Sequence, residues 1–533
     1  MEQTAYLPRN YAEKLKALNA VIWDAAELKF AETKSAKAMT DFLRQEGFAV
    51  KEGLAGMETS YEAEFGSGHP IIGILAEYDA LSGLSQELDV AEKKPRPETS
   101  CGHGCGHCLL GTAAIGAGLL LRDYLKAHPN KGTVRIYGCP AEEGGSGKAY
   151  MAREGLFADV DAAFTWHPAT MNAVATGSNQ ANIQAAFTFT GQASHAAASP
   201  EKGRSALDAV ELMNVGVNYL REHMADYERV HYAVLDTGGV SPNVVQEHAE
   251  VLYLIRSKSN AEAKRLYERV QKIAQGAALM TETSLFLRFD KAVSNLVRND
   301  TLAAVMHEAM VEVGAPKRTA EEKAYLEKFQ KTVPEDSILH DPGMTPLLDR
   351  ELLEKLIKKD RFGEFIVPFQ PNSIIQMGSS DTGDVSYVTP LAQCYTATFP
   401  IGTTAHSWQW VAMGQSAVAL SGMYYAARVM AESAKKVMEE PILLERAKKE
   451  LAERLGGASY ECPIPPDVWQ PNISNINNGK RGFTTKPLFC ASNRPIIFAS
   501  GTIFLSIESL EKVTYNGGEL YGKELHIMKG ALL

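Results

Sequence analysis

The eight residues from Cys101 to Cys108 carry the densest set of reactive side chains in the sequence. They read Cys-Gly-His-Gly-Cys-Gly-His-Cys and offer five thiol or imidazole groups, ligand types that suit zinc and other first-row divalent ions. A structural zinc site needs a second close-spaced pair of ligands, and no second CxxC or HxxxH occurs elsewhere. The segment therefore favours a catalytic metal site over a zinc finger. The alternative is a glycine-rich helix start with incidental thiols.

Two adjacent glutamates, Glu142 and Glu143, follow an apolar strand-like run and precede Gly-Gly-Ser-Gly. Neighbouring carboxylates in one tight turn point in different directions. One can bind a metal ion while the other takes a proton from a metal-bound water, which is the division of labour that hydrolysis requires. The alternative is a solvated pair of surface carboxylates in a loop.

Two further histidines lie where predicted elements begin or end. His167 ends a strand-like run, and His406 stands just before a long predicted helix. Either one alone is typical of a surface or capping histidine. Taken jointly with the residues above, they make a set large enough to hold two divalent ions a few ångströms apart with one bridging water. The predicted metal ligands are Cys105, His107, Glu143, His167 and His406. Asp79, after the first strand, is expected to accept a hydrogen bond from a ligating imidazole.

The elements that would position these residues alternate between strand and helix. Short apolar runs ending in polar residues predict strands at 70–76, 132–138 and 161–166. Apolar residues at helical spacing predict helices at 10–48, 108–127 and 147–155. Such alternation is typical of a mostly parallel α/β sheet, in which ligands bind beyond the carboxyl ends of the strands.

A segment with a different order of predicted strands and helices interrupts this alternation. Its predicted order is strand 185–191, helix 205–222, strands 229–236 and 249–256, helix 260–279 and strand 283–289. This β-α-β-β-α-β order is the ferredoxin-like motif. Helices predicted at 299–314 and 410–435 then resume the outer pattern. The predicted domains are 1–180 and 293–472 for the two parts of a catalytic domain, 181–292 for the insertion, and 473–533 for a C-terminal extension of unknown structure.

Composition narrows the class of protein. The chain has 533 residues, too many for one ordinary core, and a formal net charge of −10. The acidic balance disfavours nucleic acid as a partner. We expect no signal peptide and no membrane segment, because the N-terminal residues lack an apolar core and the longest apolar stretch is short. Four of the seven cysteines fall between Cys101 and Cys139, which favours reduced thiols in a cytoplasmic protein.

Several motifs in fixed order give the sequence a family resemblance. They are AEYDAL (76–81), HGCGHCLLG (103–111), PAEEGGSGK (140–148), TWHP (165–168), GQASHAAASPEKGRSALDA (191–209), GGVSPNVVQEHAE (238–250) and GTTAHSWQ (402–409). The sequence resembles the metal-dependent amidohydrolases related to aminoacylases and carboxypeptidase G, over about residues 10 to 470. The resemblance implies an α/β catalytic domain with two metal ions, zinc or manganese, interrupted by a ferredoxin-like lid and dimerisation domain.

The resemblance also assigns roles by position. It makes Glu142 the general base, and Cys105, His107, Glu143, His167 and His406 the metal ligands. His195 matches a lid histidine that reaches the partner subunit's active site in dimeric relatives and stabilises the oxyanion there. Asn243 and Arg256 are expected to contact a substrate carboxylate or carbonyl, with a purely structural role as the alternative for Arg256.

Two positions depart from the family pattern. Cys108 follows the ligating histidine where relatives have Asp or Asn, so it changes a hydrogen bond near the site or adds a soft ligand. Glu77 replaces the histidine of the His-x-Asp motif of many relatives, a change shared by the Cys-Gly-His subgroup.

The expected function is hydrolysis of an amide bond in a small N-acyl amino acid or dipeptide-like substrate such as aminobenzoyl-glutamate, through a metal-bound water activated by Glu142. The alternatives are a non-catalytic metal- or ligand-binding subunit of a heteromeric amidohydrolase, and a zinc-dependent nucleic-acid binder, which the acidic balance disfavours. The expected assembly is a homodimer or a heterodimer with a related subunit, and the choice stays open, as do the substrate and the metal.

Overall fold

The structure is a computed structural model that describes residues 6–339 and 350–469, and the backbone of a small hairpin of Thr514–Tyr515 and Gly518–Glu519. The described residues up to 469 belong to one compact unit, and the hairpin belongs to a second. Apart from this hairpin, the predicted extension 473–533 lies outside the described residues.

The first part of the chain supplies most of a central sheet and the helices around it. Its helices are α1 (Arg9–Ala25), α2 (Thr33–Gln45), α3 (His107–Ala127) and α4 (Gly147–Arg153). Its strands are β1 (Ala49–Glu52), β2 (Tyr61–Ser67), β3 (Ile71–Ala76), β4 (Leu81–Ser82), β5 (Cys101–Gly102), β6 (Gly132–Gly138), β7 (Ala162–Ala169), β8 (Ala173–Val174) and β9 (Ser178–Asn179).

The next segment forms a sheet of its own. It contains β10 (Ala181–Thr190), α5 (Ala206–Leu220), β11 (Arg229–Asp236), β12 (His248–Ser257), α6 (Asn260–Thr281) and β13 (Ser284–Val293). The four strands pair antiparallel in the order β11-β12-β10-β13. Alternate residues of β12 are buried, in a cluster shared with α5 and α6. The helices therefore cover one face of this sheet and leave the other face free of them.

The chain then returns to the central sheet. The helices are α7 (Asp300–Val313), α8 (Ala320–Gln330), α9 (Glu335–Leu339), α10 (Arg350–Lys359), α11 (Thr382–Ser386), α12 (Trp408–Met413), α13 (Ala417–Glu439) and α14 (Pro441–Leu455). The strands are β14 (Ile375–Gln376) and β15 (Leu391–Ala397). The hairpin described above supplies β16 and β17.

The central sheet has the order β1-β2-β6-β3-β7-β15-β8, and its inner strands β6, β3, β7 and β15 run parallel. Every residue of β3 is buried: Ile72 and Ile74 pack in the cluster that holds α3 and α13, and Ile71 and Leu75 in the cluster that holds α4. Because helices cover both faces, parallel strands of this kind are continuously apolar. The carboxyl ends of these strands meet at one edge.

Two of the predicted helices are interrupted. The predicted helix 10–48 is wrong in extent, because Ala26 adopts a left-handed conformation that ends α1, and α2 begins only at Thr33. The predicted helix 410–435 is also divided, into α12 and α13, where the Ser416 side chain accepts a hydrogen bond from the Ala419 N–H and so starts α13. The break between α1 and α2 is important because the segment between these helices reaches the carboxyl end of β3, where Leu28 pairs with Ala80.

Helix α3 is the one described helix that is long and apolar enough to cross a membrane, but 83% of its most apolar window is buried inside the protein. It packs against α13 and β3. Its composition is that of a helix in the centre of a core.

Candidate metal centre

The turn before α3 places Cys105 and His107 beside the end of β7. Gly106 lies between them with φ of +77°, a conformation that L side chains rarely adopt, and a Cβ there would lie 3.0 Å from atoms of Pro168. Glycine at this position lets the turn pass close to the end of β7, where His167 is found. His406 arrives from the loop before α12, and its N–H donates to the carbonyl of Gly104.

The five predicted ligands come together in two groups that share Cys105. In one group Cys105, His107 and His167 place their ligand atoms within 4.8 Å of one another; in the other, Cys105, Glu143 and His406 do the same. The Cys105 Sγ lies 3.4 Å from His167 Nε2, and His406 Nε2 lies 3.4 Å from a Glu143 oxygen. These separations match ligands around one ion at about 2.0–2.3 Å each.

Two buried atoms in this cluster lack any hydrogen-bond partner. They are Nε2 of His107 and Oε1 of Glu143. A buried polar atom without a partner costs free energy, and a metal ion at either place would satisfy it. The donor set of thiolate, imidazole and carboxylate is also one that zinc and manganese accept. The residues present therefore fit divalent ions.

The charged groups in the cluster shift one another's pKa values toward the ionised forms. Burial and Glu143 act to raise the pKa of the Cys105 thiol, but His167 and His107 outweigh them and lower that pKa to about 6. Against the effect of burial, His406 and His107 lower the pKa of Glu143 to about 2. Cys105 and Glu143 raise the pKa of His406 to about 11. Thiolate and carboxylate, the forms of Cys105 and Glu143 that bind metal, are thus favoured by protonated histidines beside them. A metal ion would have to displace the proton from each ligating imidazole.

Asp79 contacts two of the predicted ligands. Its Oδ1 lies 2.8 Å from His107 Nδ1, and its Oδ2 accepts a hydrogen bond of 2.9 Å from the Glu143 N–H. The side chain of Asp79 is buried. The contact with Asp79 turns the other ring nitrogen of His107 toward the predicted metal position, where a Glu77 oxygen lies 3.3 Å from it. A carboxylate behind a ligating histidine is expected to orient the ring in this way.

Glu142 lies near Nε2 of His107, whereas Asp79 contacts Nδ1, and it is close to a buried network of charges. Its Oε2 is 4.0 Å from His107 Nε2, and Glu77, His107 and Glu142 form a third group of nearby ligand atoms. Lys148 Nζ lies 2.6 Å from both Glu77 and Asp381. Burial, followed by the charges of Glu77 and Asp381, raises the pKa of Glu142 well above its ordinary value.

Sequence reasoning misses this network. Lys148 lies within the PAEEGGSGK motif but carries no predicted role, and Glu77 stands out only as a departure from a family pattern. Asp381 carries no local sequence signal, since it is 233 residues from Lys148. Glu32 is missed as well: it is buried beside the site, where its carboxylate accepts a hydrogen bond from the Ala141 N–H just before Glu142.

Cys108 packs in the core and not at the site. Its side chain is fully buried among apolar residues of α3 and its neighbours, and it belongs to none of the three groups of nearby ligand atoms. Burial raises the pKa of this thiol to about 12. Of the two effects expected from Cys108, the additional soft ligand is therefore not supported.

A cavity of about 330 Å³ opens beside the predicted ligands. Cys105, Glu143, His167 and His406 line one side of it. The rest of its wall includes the two acids Glu77 and Glu142 and a mixture of apolar and uncharged polar side chains, among them Trp166, Leu296, Trp410, Ser178, Asn179, Gln376, Ser379, Thr382 and Tyr395.

The three predicted residues of the second sheet differ in their positions. Arg256 of β12 reaches the cavity wall, where it donates to the Ser379 hydroxyl at 2.9 Å and to the Met377 carbonyl. His195 and Asn243 lie in neighbouring loops, joined by a hydrogen bond from the Ala196 N–H to the Asn243 carbonyl, and neither lines the cavity. None of the three lines the cavity itself, and Arg256 comes nearest through its hydrogen bond to Ser379, which does.

Comparison with known proteins identifies the family. The model of peptidase family M20/M25/M40 matches residues 73–345. One of the subunits of p-aminobenzoyl-glutamate hydrolase from Escherichia coli K12 is 42% identical over 84% of this chain and 94% of its own. The Xaa-Arg dipeptidase of Mus musculus is 29% identical over 83% of this chain and 90% of its own.

A solved structure shares the fold. The aminobenzoyl-glutamate utilization protein from Klebsiella pneumoniae superposes with a TM-score of 0.50 and 18% identity, over 81% of this chain and 98% of that one. The chain belongs to peptidase family M20/M25/M40 and is a metal-dependent hydrolase of amide bonds.

Proposed function

We propose that this hydrolase cleaves the amide bond of a small N-acyl amino acid or dipeptide-like substrate such as aminobenzoyl-glutamate. The names of the two relatives, one a p-aminobenzoyl-glutamate hydrolase and one an Xaa-Arg dipeptidase, support this class. The observation that carries the proposal is the pair of ligand groups sharing Cys105, with Glu142 beside them and a cavity of small-molecule size in front.

Two divalent ions, zinc or manganese, are the proposed cofactors. Cys105 would serve both, with His107 and His167 on one side and Glu143 and His406 on the other. When bound, such ions polarise an amide carbonyl and make water a stronger nucleophile.

Glu142 is the proposed general base. Its carboxylate accepts a proton from the attacking water and returns that proton to the leaving amine. Burial and the surrounding acids raise the pKa of Glu142, which makes it a better proton acceptor than an ordinary carboxylate. Asp79 is a positioning residue, because it contacts His107 and Glu143 and not the substrate.

The segment from β10 to β13 is proposed as a ferredoxin-like lid and dimerisation domain. Its His195 accepts hydrogen bonds at Nδ1 from the Ala197 and Ala198 N–H groups. Because a backbone N–H can only donate, the ring proton of the neutral histidine resides on Nε2, which can then donate to the oxyanion of a tetrahedral intermediate. We assign Asn243 to the substrate carbonyl and Arg256 to its carboxylate.

The surface of this segment supports a dimer. Strand β11 lies at the edge of the sheet and is exposed along nearly its whole length. An edge strand offers unpaired backbone groups to a second chain. Helix α5 adds exposed apolar side chains at helical spacing: Leu212, Val215 and Tyr219.

The partner is a second copy or a related subunit. The name of the Escherichia coli relative designates one subunit of a hydrolase, which supports the second choice. The six described cysteines are all free thiols, which supports the proposed cytoplasmic location.

The test is amide hydrolysis by purified protein after chelation and after adding back zinc or manganese, with bound metal measured in parallel. The substrates are p-aminobenzoyl-glutamate, N-acyl amino acids and dipeptides. We expect restored turnover with close to two ions per chain. Cys105→Ser should lose both ions, whereas Cys101→Ser, outside both ligand groups, should keep them.

Two results would decide against parts of the proposal. Two bound ions with no turnover on any substrate would favour the alternative of a non-catalytic subunit that needs its partner. Full turnover by Glu142→Gln would exclude Glu142 as the base.

A further inference from the structure

The segment from β10 to β13 is joined to the rest of the chain by two connections that lie side by side. The chain enters the segment after Asn179 and leaves it at Ser294. The Ser178 hydroxyl donates to the Leu296 carbonyl at 2.6 Å, and the Leu296 N–H donates to the Asn179 side-chain oxygen at 2.8 Å. Ser178, Asn179 and Leu296 also line the cavity. Because domains turn about a few residues at the ends of their elements, any turning of the segment over the cavity takes place at these connections.

The short helix α11 holds the connection that leaves the segment. Asp384 accepts hydrogen bonds from the hydroxyl and the N–H of Ser294, at 2.6 and 3.1 Å. Two residues on, the Ser386 hydroxyl accepts from the Val297 N–H at 2.8 Å. A Cβ at Gly383 would lie 2.1 Å from the Ser294 carbonyl oxygen, so only glycine lets α11 come this close. Two side chains of α11 thus fix the connection against the catalytic part of the chain.

The Ser294 hydroxyl joins the segment to α11. It accepts a hydrogen bond of 2.9 Å from the side-chain amide of Asn260 at the start of α6, and it donates to Asp384. Ser294 and Asp384 are both fully buried. Because α6 belongs to the segment and α11 does not, this one hydroxyl links the two parts of the molecule. Hydrogen bonds within a buried, fully paired network restrict the positions of the groups that they join.

Helix α11 also reaches the charge network beside the proposed base. Asp381, the residue before α11, accepts hydrogen bonds from the N–H and the Nζ of Lys148, at 2.9 and 2.6 Å. Lys148 Nζ also contacts Glu77, and Glu77 lines the cavity together with Thr382, the first residue of α11. The connection and the active site are therefore held by the same short stretch of chain.

We propose that Asp384 is a positioning residue: its contact with Ser294 fixes the connection about which the segment from β10 to β13 turns, and so raises the fraction of molecules in which that segment covers the active site. The inference rests on the proposed role of this segment as a lid. When only a fraction of the molecules is competent to bind substrate, the apparent dissociation constant rises by the reciprocal of that fraction. Loss of the contact should therefore weaken substrate binding and spare the chemical step.

Ser294→Ala tests the contact, and Tyr460→Phe is the matched control. Both substitutions remove one hydroxyl donor from the same oxygen of Asp384, at 2.6 and 2.9 Å, but Tyr460 lies after α14 and outside both connections. We expect Ser294→Ala to raise KM for p-aminobenzoyl-glutamate about tenfold with kcat within about twofold of wild type. Tyr460→Phe should change neither constant, and both variants should keep their bound metal.

The kinetic constants are measured at about pH 8.5, where the Asp384 carboxyl group is ionised and accepts from all of its donors. Burial raises the pKa of this group to about 7. Asn260→Ala is a second variant, because it removes the partner of the Ser294 hydroxyl within the segment. It should raise KM about threefold, since Ser294 keeps its bond to Asp384.

Two kinetic results would overturn the inference. One is an unchanged KM in Ser294→Ala. The other is an equal rise of KM in Ser294→Ala and Tyr460→Phe, which would show that any lost hydrogen bond to Asp384 has this effect, whether or not it involves the connection.

Distances measured by pulsed EPR separate the inference from the proposed function. Spin labels are carried by unnatural side chains at the exposed positions Lys272 of α6 and Lys449 of α14, because the described cysteines are free thiols. Labelled chains are diluted with unlabelled ones. The distance distribution of the metal-loaded protein should be at least about twofold wider in Ser294→Ala than in wild type, and unchanged in Tyr460→Phe.

The EPR result decides the inference even without turnover. If the distribution widens only in Ser294→Ala and no amide is hydrolysed, the proposed function fails and the role of the Asp384–Ser294 contact in positioning the segment stands. If the distributions of wild type and Ser294→Ala coincide, the inference is wrong whatever the turnover.

Discussion

His107 Nδ1 lies 2.8 Å from Asp79 Oδ1, while its Nε2 is buried without a hydrogen-bond partner. The contact fixes which ring nitrogen faces the other ligands. Because Asp79 also accepts from the Glu143 N–H, one carboxylate orients a member of each ligand group. The geometry of the two proposed metal positions therefore depends on a residue that belongs to neither.

Asp79→Asn should weaken metal binding without removing a ligand. The amide nitrogen would replace one acceptor oxygen, so either His107 or the Glu143 N–H loses its partner. Loss of such a supporting contact typically costs about 10- to 100-fold in metal affinity. The measurement is competition with a chromophoric chelator. Asp159→Asn, an exposed acid paired with Arg135, serves as the control, and equal affinity in both variants would contradict the role of Asp79.

Lys148→Met should destabilise the protein strongly. The substitution leaves Glu77 and Asp381 buried without their shared cation, and breaking a buried pair in this way costs about 3–5 kcal/mol. The free energy of unfolding in urea, measured with metal removed, tests this.

Lys37→Met is the comparison for Lys148→Met, because Lys37 forms an exposed pair with Asp41. It should change stability by no more than about 0.5 kcal/mol. Similar stabilities for the two variants would mean that the buried network contributes nothing beyond a surface pair.

The strands, and the meeting of the five predicted metal ligands, were predictable because their sequence signals are local. β3 and β6 are continuous apolar runs closed by turn residues, and their observed limits lie within one residue of the predicted ones. Parallel strands bring their carboxyl ends to one edge, so Glu143 and His167 were expected to meet. The family resemblance predicted a role for each of these residues, because its motifs occur in the same order along this chain.

The break after α1 and the buried charge network around Lys148 depend on tertiary contacts, which no local sequence pattern indicates. Ala26 ends α1 in a left-handed conformation with neither glycine nor proline at that position, and that break delivers Glu32 to the site. The partners of Lys148 come from a strand end before it and a helix start far after it. Their pairing follows from burial, which a single sequence does not display.

Glu32→Gln should flatten the dependence of stability on pH in the metal-depleted protein. Burial, then the charge of Asp79, raises the pKa of Glu32 from 4.5 to about 8. The folded state therefore holds a proton that the unfolded chain releases, so the associated stability is present below about pH 4.5 and is lost as pH rises toward 8. Glutamine can keep the contacts to the Phe30 and Ala141 N–H groups and to Thr59.

The measurement for Glu32 is the thermal unfolding midpoint between pH 5 and 9. Wild type should decline more steeply than Glu32→Gln across this range, while the exposed control Glu58→Gln should follow wild type. Parallel curves for wild type and Glu32→Gln would show that the carboxyl group does not titrate with folding.

His195→Ala should lower turnover without loss of metal, because His195 lies outside both ligand groups. If its Nε2 acts on the partner subunit's active site, mixing His195→Ala with Glu142→Gln should restore activity to about a quarter of wild type, since half of randomly mixed dimers are hybrids and each hybrid has one complete site of two. Exchange of subunits is verified with differently tagged chains. Confirmed exchange with no recovery would place His195 in its own chain's site, and unchanged turnover in His195→Ala would remove it from the mechanism.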